Sequence, residues 1–280
     1  MFRSLVFVGF LLSCTASISP FRSQQTIAKL EDNRLIEASG IETSHRNLGM
    51  LWGHNDSGHE PSLFLLDTLG EIKMEVLLEG VKNIDWEDIS TSVENGKIYI
   101  YIADFGDNKA VRESVQILRI AEPIWSDTDF LSIPREEIEI MHLRYDEGAR
   151  DAESLLFDVK VNELVIVSKR DTKARIYSFP FVPNDSPTLV KHLGKLPESG
   201  FTAADSNSEG EILIKNYEEI FYFPSDNRTI AEALLAWKPV SVNYIAEPQG
   251  EAICWFGADF LTLSEKRSRK QKLLRFDRKH

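Results

Sequence analysis

The sequence predicts an all-β chain folded as a single β-propeller of five blades. Three observations predict it. One acidic motif recurs along the chain at intervals of 50, 66, 52 and 46 residues, near the period of propeller blades, roughly 40–50 residues, with an insertion in the longest. Each recurrence is followed by short runs rich in β-branched and aromatic residues, separated by turn signals such as Asn95-Gly96, Asn162 and Gly210. Helical periodicity is confined to the stretch from Ile230 to Trp237.

Each copy opens on a polar cluster that leads into a first strand. The five openings are Glu37-Ala38-Ser39-Gly40-Ile41, Trp86-Glu87-Asp88-Ile89, Asp151-Ala152-Glu153-Ser154-Leu155, Ala203-Ala204-Asp205-Ser206 and Gly250-Glu251-Ala252-Ile253. Glu37, Glu87, Glu153, Asp205 and Glu251 align as the repeated acid. Second strands follow at Met50-Leu51-Trp52, 98–102, 164–167, 212–214 and 260–263. Third strands follow at 63–67, 115–120, 176–180, 220–224 and 273–277. Fourth strands are expected in the first four copies, at 72–78, 138–143, 188–193 and 240–245. The fifth copy runs out of chain after its third strand. The stretch Thr26-Ile27-Ala28-Lys29-Leu30 is expected to supply the missing strand, closing the ring and covering an open edge. Six blades result if the insertion from Glu122 to Glu137 forms a degenerate blade. The propeller therefore spans 26–280, preceded by a signal segment at 1–13 and a lipid anchor or linker at 14–25.

The N-terminus reads as an export signal. A basic start, Met1-Phe2-Arg3, precedes an apolar run from Leu5 to Leu12, too short to cross a bilayer as a mature helix. The run ends in Leu11-Leu12-Ser13-Cys14, which resembles a bacterial lipobox with Cys14 as the lipidated residue. The expected address is the outer membrane or periplasm, and simple cleavage with secretion is the alternative. Only Cys254 then remains, in an apolar run, as a buried small hydrophobe without a disulfide partner. The formal net charge of -12 repels a phosphate backbone and excludes nucleic acid as a partner. It suits cations, small ligands or proteins with basic faces. Membrane attachment is expected only through the lipid, and the chain is expected to be a monomer.

In an antiparallel pair, the start of strand one and the end of strand two lie together. The second strands end in His54-Asn55-Asp56-Ser57-Gly58, Asp104-Phe105-Gly106-Asp107-Asn108, Ser168-Lys169-Arg170-Asp171, Lys215-Asn216-Tyr217 and Ser264-Glu265-Lys266-Arg267. All five openings and all five endings should therefore ring one mouth of the central channel. So many carboxylates cannot all ionise in a partly enclosed space unless pKa values rise or cations neutralise them. Carboxylate oxygens select hard ions, Ca²⁺ above all. The expected metal ligands are Asp56, Glu87, Asp88, Asp104, Asp107, Asp151, Glu153 and Glu251. The expected ligand contacts are His54, Asn55, Asn108, Lys169, Arg170, Asp205, Lys215, Asn216 and Glu265. Glu37 is expected to be structural, and each opening acid has the competing role of holding the next blade through its backbone N–H groups.

The motifs Trp52-Gly53-His54-Asn55-Asp56-Ser57-Gly58, Asp85-Trp86-Glu87-Asp88-Ile89, Asp104-Phe105-Gly106-Asp107-Asn108 and Asp151-Ala152-Glu153-Ser154-Leu155 together resemble those of a family of exported bacterial β-propeller proteins, most of them without an assigned activity. The acid-Ala-Glu openings are more distantly similar to those of phytase-like and esterase-like propellers. That likeness implies carboxylate-bound Ca²⁺ at the channel mouth, although the full calcium-ligand set of phytases is not matched here. No Gly-x-Ser-x-Gly elbow, His-Glu-x-x-His or Gly-rich phosphate loop is present. The expected function is an exported binding propeller with a cation-binding mouth. A Ca²⁺-dependent hydrolase of phosphate or other esters is the alternative.

Overall fold

The computed structural model describes residues 18–266 and 270–279. The expected signal segment at 1–13 and the expected lipidation residue Cys14 lie outside the described residues. The chain forms the predicted five-bladed propeller. A first strand, β1 (Gln25–Lys29), precedes blade 1, which holds β2 (Ala38–Thr43), β3 (Met50–Asn55), β4 (Ser62–Asp67) and β5 (Ile72–Leu78). Blade 2 holds β6 (Trp86–Glu94), β7 (Lys97–Asp104) and β8 (Val115–Ala121). After the detour of β9 (Phe130–Ile133), it ends with β10 (Glu139–Tyr145). Blade 3 holds β11 (Ala152–Asp158), β12 (Glu163–Ser168) and β13 (Arg175–Phe179), then, past β14 (Thr188–Val190), β15 (His192–Lys195). Blade 4 holds β16 (Ala203–Ser206), β17 (Ile212–Lys215), β18 (Ile220–Phe223) and, after helix α1 (Ile230–Ala236), the two-residue β19 (Val240–Ser241). Blade 5 holds β20 (Gly250–Phe256), β21 (Asp259–Ser264) and β22 (Lys272–Phe276). Among the described residues no helix is long and apolar enough to cross a membrane.

Closure is as expected. Strand β1 pairs antiparallel with β22, and Arg22 N–H donates to the Asp277 carbonyl at 2.8 Å to extend the seam. The insertion is not a sixth blade. Its strand β9 lies parallel to β5 on the outer edge of blade 1, and β14 does the same to β10 on blade 2. Both cover a row of unpaired N–H and C=O groups. The expected fourth strand at 188–193 thus divides between two blades, and that at 240–245 is cut to two residues.

The core is not a single centre. It fills the five gaps between blades. In β12, Leu164 and Ile166 pack toward blade 2, while Val165 and Val167 pack toward blade 4. Side chains alternate faces along a strand, and here both faces are covered. That is why these strands read as continuous apolar runs. The gap between blades 4 and 5 is aromatic, with Phe260 stacked on Phe276 at 4.3 Å and Phe21 set edge-on to Phe260. The gap between blades 5 and 1 takes Cys254, fully buried as expected, with Leu261 and Ile41. Helix α1 caps the gap between blades 3 and 4. Thr229 and Glu232 form a reciprocal capping box at its N-terminus, and Ile230 and Leu234 pack into the apolar cluster.

Candidate functional site: an acidic channel mouth

The first strands β2, β6, β11, β16 and β20 pack on one another around the axis. Their ladders with the second strands bring opening and ending residues together. Trp86 pairs with Asp104, Ala152 with Ser168, Ala203 with Lys215 and Gly250 with Ser264.

Four of the five ladders carry a β-bulge at the same step. Ser39, Glu87, Glu153 and Glu251 are the extra residues. A bulge re-aims the side chain of the residue it leaves unpaired. Here it sends three glutamates into the mouth. Blade 4 has an unbroken ladder and no acid at this step. The repeated acids are thus not all equivalent. Glu37 precedes its strand and accepts a 2.7 Å hydrogen bond from the His59 ring. Asp205 stands deeper, opposite Leu213.

Seven carboxyl groups form a chain around the mouth. Asp56, Asp85 and Glu87 bring one oxygen each to within 4.8 Å of one another, and so do Glu87, Asp151 and Glu153, and Asp56, Glu251 and Glu265. Glu87 belongs to two of these groups. Its carboxylate is 4% exposed, and its one hydrogen bond from the described residues is a long contact, 3.5 Å, from the Ser39 hydroxyl. Burial and then the charges of Glu153, Asp56 and Asp85 push its pKa well above the usual range, against the pull of Lys169. Burial and Asp56 raise Asp85 to about 6. Asp56 and Glu153 are also raised, first by burial. Among the described residues, Arg170 and Lys169 pair directly with these acids. Arg170 Nε pairs with Asp151 at 2.6 Å from the rim, and Lys169 Nζ contacts Glu153 directly. Arg170 also donates to Asn108.

Gly106 lets the turn after β7 close over this cluster. A Cβ there would fall 2.6 Å from Asp85 Oδ2 and overlap the Glu87 carboxylate. Gly106→Ala should therefore push Asp85 and Glu87 apart. Thermal melting should find this variant less stable than wild type by roughly 1–3 kcal/mol, the usual cost of forcing extra atoms into a packed place.

Several expected site residues do other work. Asp88 lies one residue from Glu87 but inside the ladder. Its carboxyl is fully buried and accepts from Ile89 N–H at 2.9 Å, Leu155 N–H at 2.8 Å and Ala204 N–H at 3.4 Å, tying blades 2, 3 and 4. Asp205 accepts from Trp255 N–H at 2.7 Å and ties blade 4 to blade 5. Burial raises Asp205 to about 7. Asp104 and Asp107 are expected metal ligands, yet the run closes on Arg112. Its guanidinium meets Asp104 Oδ1 at 3.0 Å, Gln116 takes Asp104 Oδ2 at 2.8 Å, and Arg112 N–H takes Asp107 Oδ2 at 2.7 Å. Asp107 joins the mouth only through its N–H, which donates to Asp151 at 2.8 Å. Asn55 clamps the loop before β2 by accepting from Ile36 and Glu37 N–H groups. Asn216 caps a turn by accepting from Glu218 and Glu219 N–H groups. His54, an expected ligand contact, is fully buried beneath Gly40, and burial lowers its pKa to about 4, so it is neutral. Lys215 is buried at the seam of blades 4 and 5, donating to the Gly250 carbonyl, with burial lowering its pKa to about 8. Trp52 and Trp86 are core residues.

The structure adds two residues that sequence reasoning missed. Asp85 was visible within the Asp-Trp-Glu-Asp motif but stands before the strand, where periodicity has no voice. Tyr217 was visible as the last residue of the blade 4 ending. Its hydroxyl donates to Glu251 and accepts from Lys169 at 3.2 Å.

No protein-family model matches the sequence, and no curated protein matches it. Solved structures do resemble the fold. A chain of the nidogen–laminin complex aligns with a TM-score of 0.46 at 10% identity, over 82% of this chain and 72% of its own. A luciferin-regenerating enzyme aligns with a TM-score of 0.43 at 10% identity, over 87% and 92% of the two chains. A structural-genomics protein of unknown function from Bacteroides thetaiotaomicron aligns with a TM-score of 0.47 at 8% identity, over 91% and 76%. At these scores no role passes from them to this chain.

Proposed function

We propose that this chain is an exported β-propeller whose acidic mouth binds a hard divalent cation, Ca²⁺ foremost, and through it a small molecule or partner. The observation that carries the reading is Glu87. A buried carboxylate is normally hydrogen-bonded or paired. This one sits among four other acids with a single long contact, an arrangement that a cation would relieve. The donor set is all oxygen, which favours Ca²⁺ or Mg²⁺ over softer metals. Asp56, Asp85 and Glu87, whose oxygens lie within 4.8 Å of one another, are the ligands of this reading. An exported protein with such a site serves the weak range of extracellular modules, about 10⁻⁴–10⁻³ M.

Thermal melting with Ca²⁺ against EDTA tests it. At pH 7.5, with Ca²⁺ near 100 times its Kd, linkage gives about 2.7 kcal/mol, or a rise of roughly 5–10 °C for a chain of this size. The rise should shrink toward pH 5. Carboxyl groups with raised pKa stabilise the fold below their unfolded value near 4, and that contribution is lost as pH climbs through the folded value, about 6 for Asp85. Ca²⁺ restores what deprotonation removes, so its effect grows over the same window. Absence of any shift with Ca²⁺ or Mg²⁺ at pH 7.5 would sink the reading. Ester turnover dependent on the ion would replace binding with hydrolysis.

A further inference from the structure

The chain of carboxyl groups around the mouth is broken at one place. It runs from Glu265 and Glu251 through Asp56, Asp85, Glu87 and Asp151 to Glu153. Blade 4 supplies no acid and no bulge to join Glu153 back to Glu251. Lys169 fills that break. It leaves the end of β12 in blade 3, contacts Glu153, and stands 3.9 Å from Glu251 in blade 5. Tyr217 of blade 4 lies beneath it, with its ring centroid 5.1 Å from the ammonium, and bonds to both Lys169 and Glu251. The lysine is 7% exposed. An ammonium held by two carboxylates, a phenol oxygen and an aromatic face has the surroundings of a bound cation.

We propose that Lys169 is a resident cation of the mouth, which restricts metal binding to one divalent ion on the Asp56–Asp85–Glu87 side. Removing its charge opens a second divalent site between Glu153 and Glu251. The inference rests on the cation reading above and assigns its stoichiometry. The lysine offers one positive charge to two carboxylates, so a divalent ion matches the vacated place better. The groups facing it are Glu153, Glu251, Tyr217 and, through space, Glu87.

The test is calorimetric titration of the chelator-treated full chain with Ca²⁺ at pH 7.5. Wild type should take one ion, Lys169→Arg one, and Lys169→Met two. The double variant Lys169→Met with Glu153→Gln should return to one, because it removes the carboxylate the new ion needs. One ion of unchanged affinity in both wild type and Lys169→Met overturns the role of Lys169 and leaves the cation reading standing. No binding by wild type but one ion in Lys169→Met upholds the lysine as resident cation and overturns the wild-type site. No binding by either overturns both. If Lys169→Met folds only when Ca²⁺ is present, by circular dichroism, the ion has taken over the lysine's place and the proposal holds. If it folds under neither condition, Lys169→Gln takes its place in the same titration.

Discussion

Asp88→Ala should lower the melting temperature by roughly 6–20 °C, the largest loss expected from any single acid among the described residues. The carboxyl of Asp88 is fully buried on the propeller axis and accepts from three N–H groups in three consecutive blades. Alanine leaves those donors without partners. Each buried, unsatisfied N–H costs about 1–3 kcal/mol, so two good bonds and one long one give a total of about 3–5 kcal/mol. At roughly 2–4 °C per kcal/mol for a domain of this size, the melting point falls accordingly. Asp88→Asn should lose about half as much. It keeps one accepting oxygen, but its NH₂ must face an amide hydrogen. The Ca²⁺-dependent rise in melting should survive both variants, since Asp88 does not face the mouth. A variant that melts like wild type refutes the axial tie. A variant that melts normally but no longer responds to Ca²⁺ returns Asp88 to the ligand role its sequence position suggested.

Glu87→Gln should produce the opposite sign. In EDTA it should melt a few degrees higher than wild type, and its response to Ca²⁺ should be lost. The wild-type side chain is 4% exposed beside Glu153, Asp56 and Asp85, and holding it ionised there destabilises the fold. Glutamine keeps the shape and removes the charge. A relief of about 1–2 kcal/mol corresponds to roughly 2–8 °C. The same change neutralises a carboxylate shared by two of the acidic groups, and under the proposed cation reading Ca²⁺ affinity should fall by roughly 100-fold or more, about 3 kcal/mol. Residues kept for function commonly carry such a cost in stability. A structural acid would behave in reverse, weakening the fold when replaced and leaving the ion response intact. Melting curves of the one variant with and without Ca²⁺ separate the two roles.

Much of the architecture was legible in the sequence. The openings gave the blade count because every blade needs a first strand at the axis, and the same turn and strand chemistry repeats with it. The N-terminal strand was legible because blade 5 ended one strand short. The site was legible only as a region. Glu87 and Asp88 are neighbours with the same chemistry, and nothing in their order says that a bulge turns the first into the mouth and leaves the second inside the ladder. Asp104 and Asp107 read as metal ligands because their own cation, Arg112, stands outside the motif. Lys215 and His54 read as ligand contacts because burial has no signature in a polar residue's local sequence.

By itself, then, the sequence determined the blade period, the strand content, the end of the propeller on which the acids gather, and the terminus that closes the ring. These follow from local patterns that each blade repeats. Only the tertiary structure decided which acids tie blades and which crowd the mouth. That choice depends on ladder register, on four bulges, and on a lysine reaching from blade 3 past blade 4 to blade 5. Contacts between side chains so far apart in the chain arise only when the ring closes.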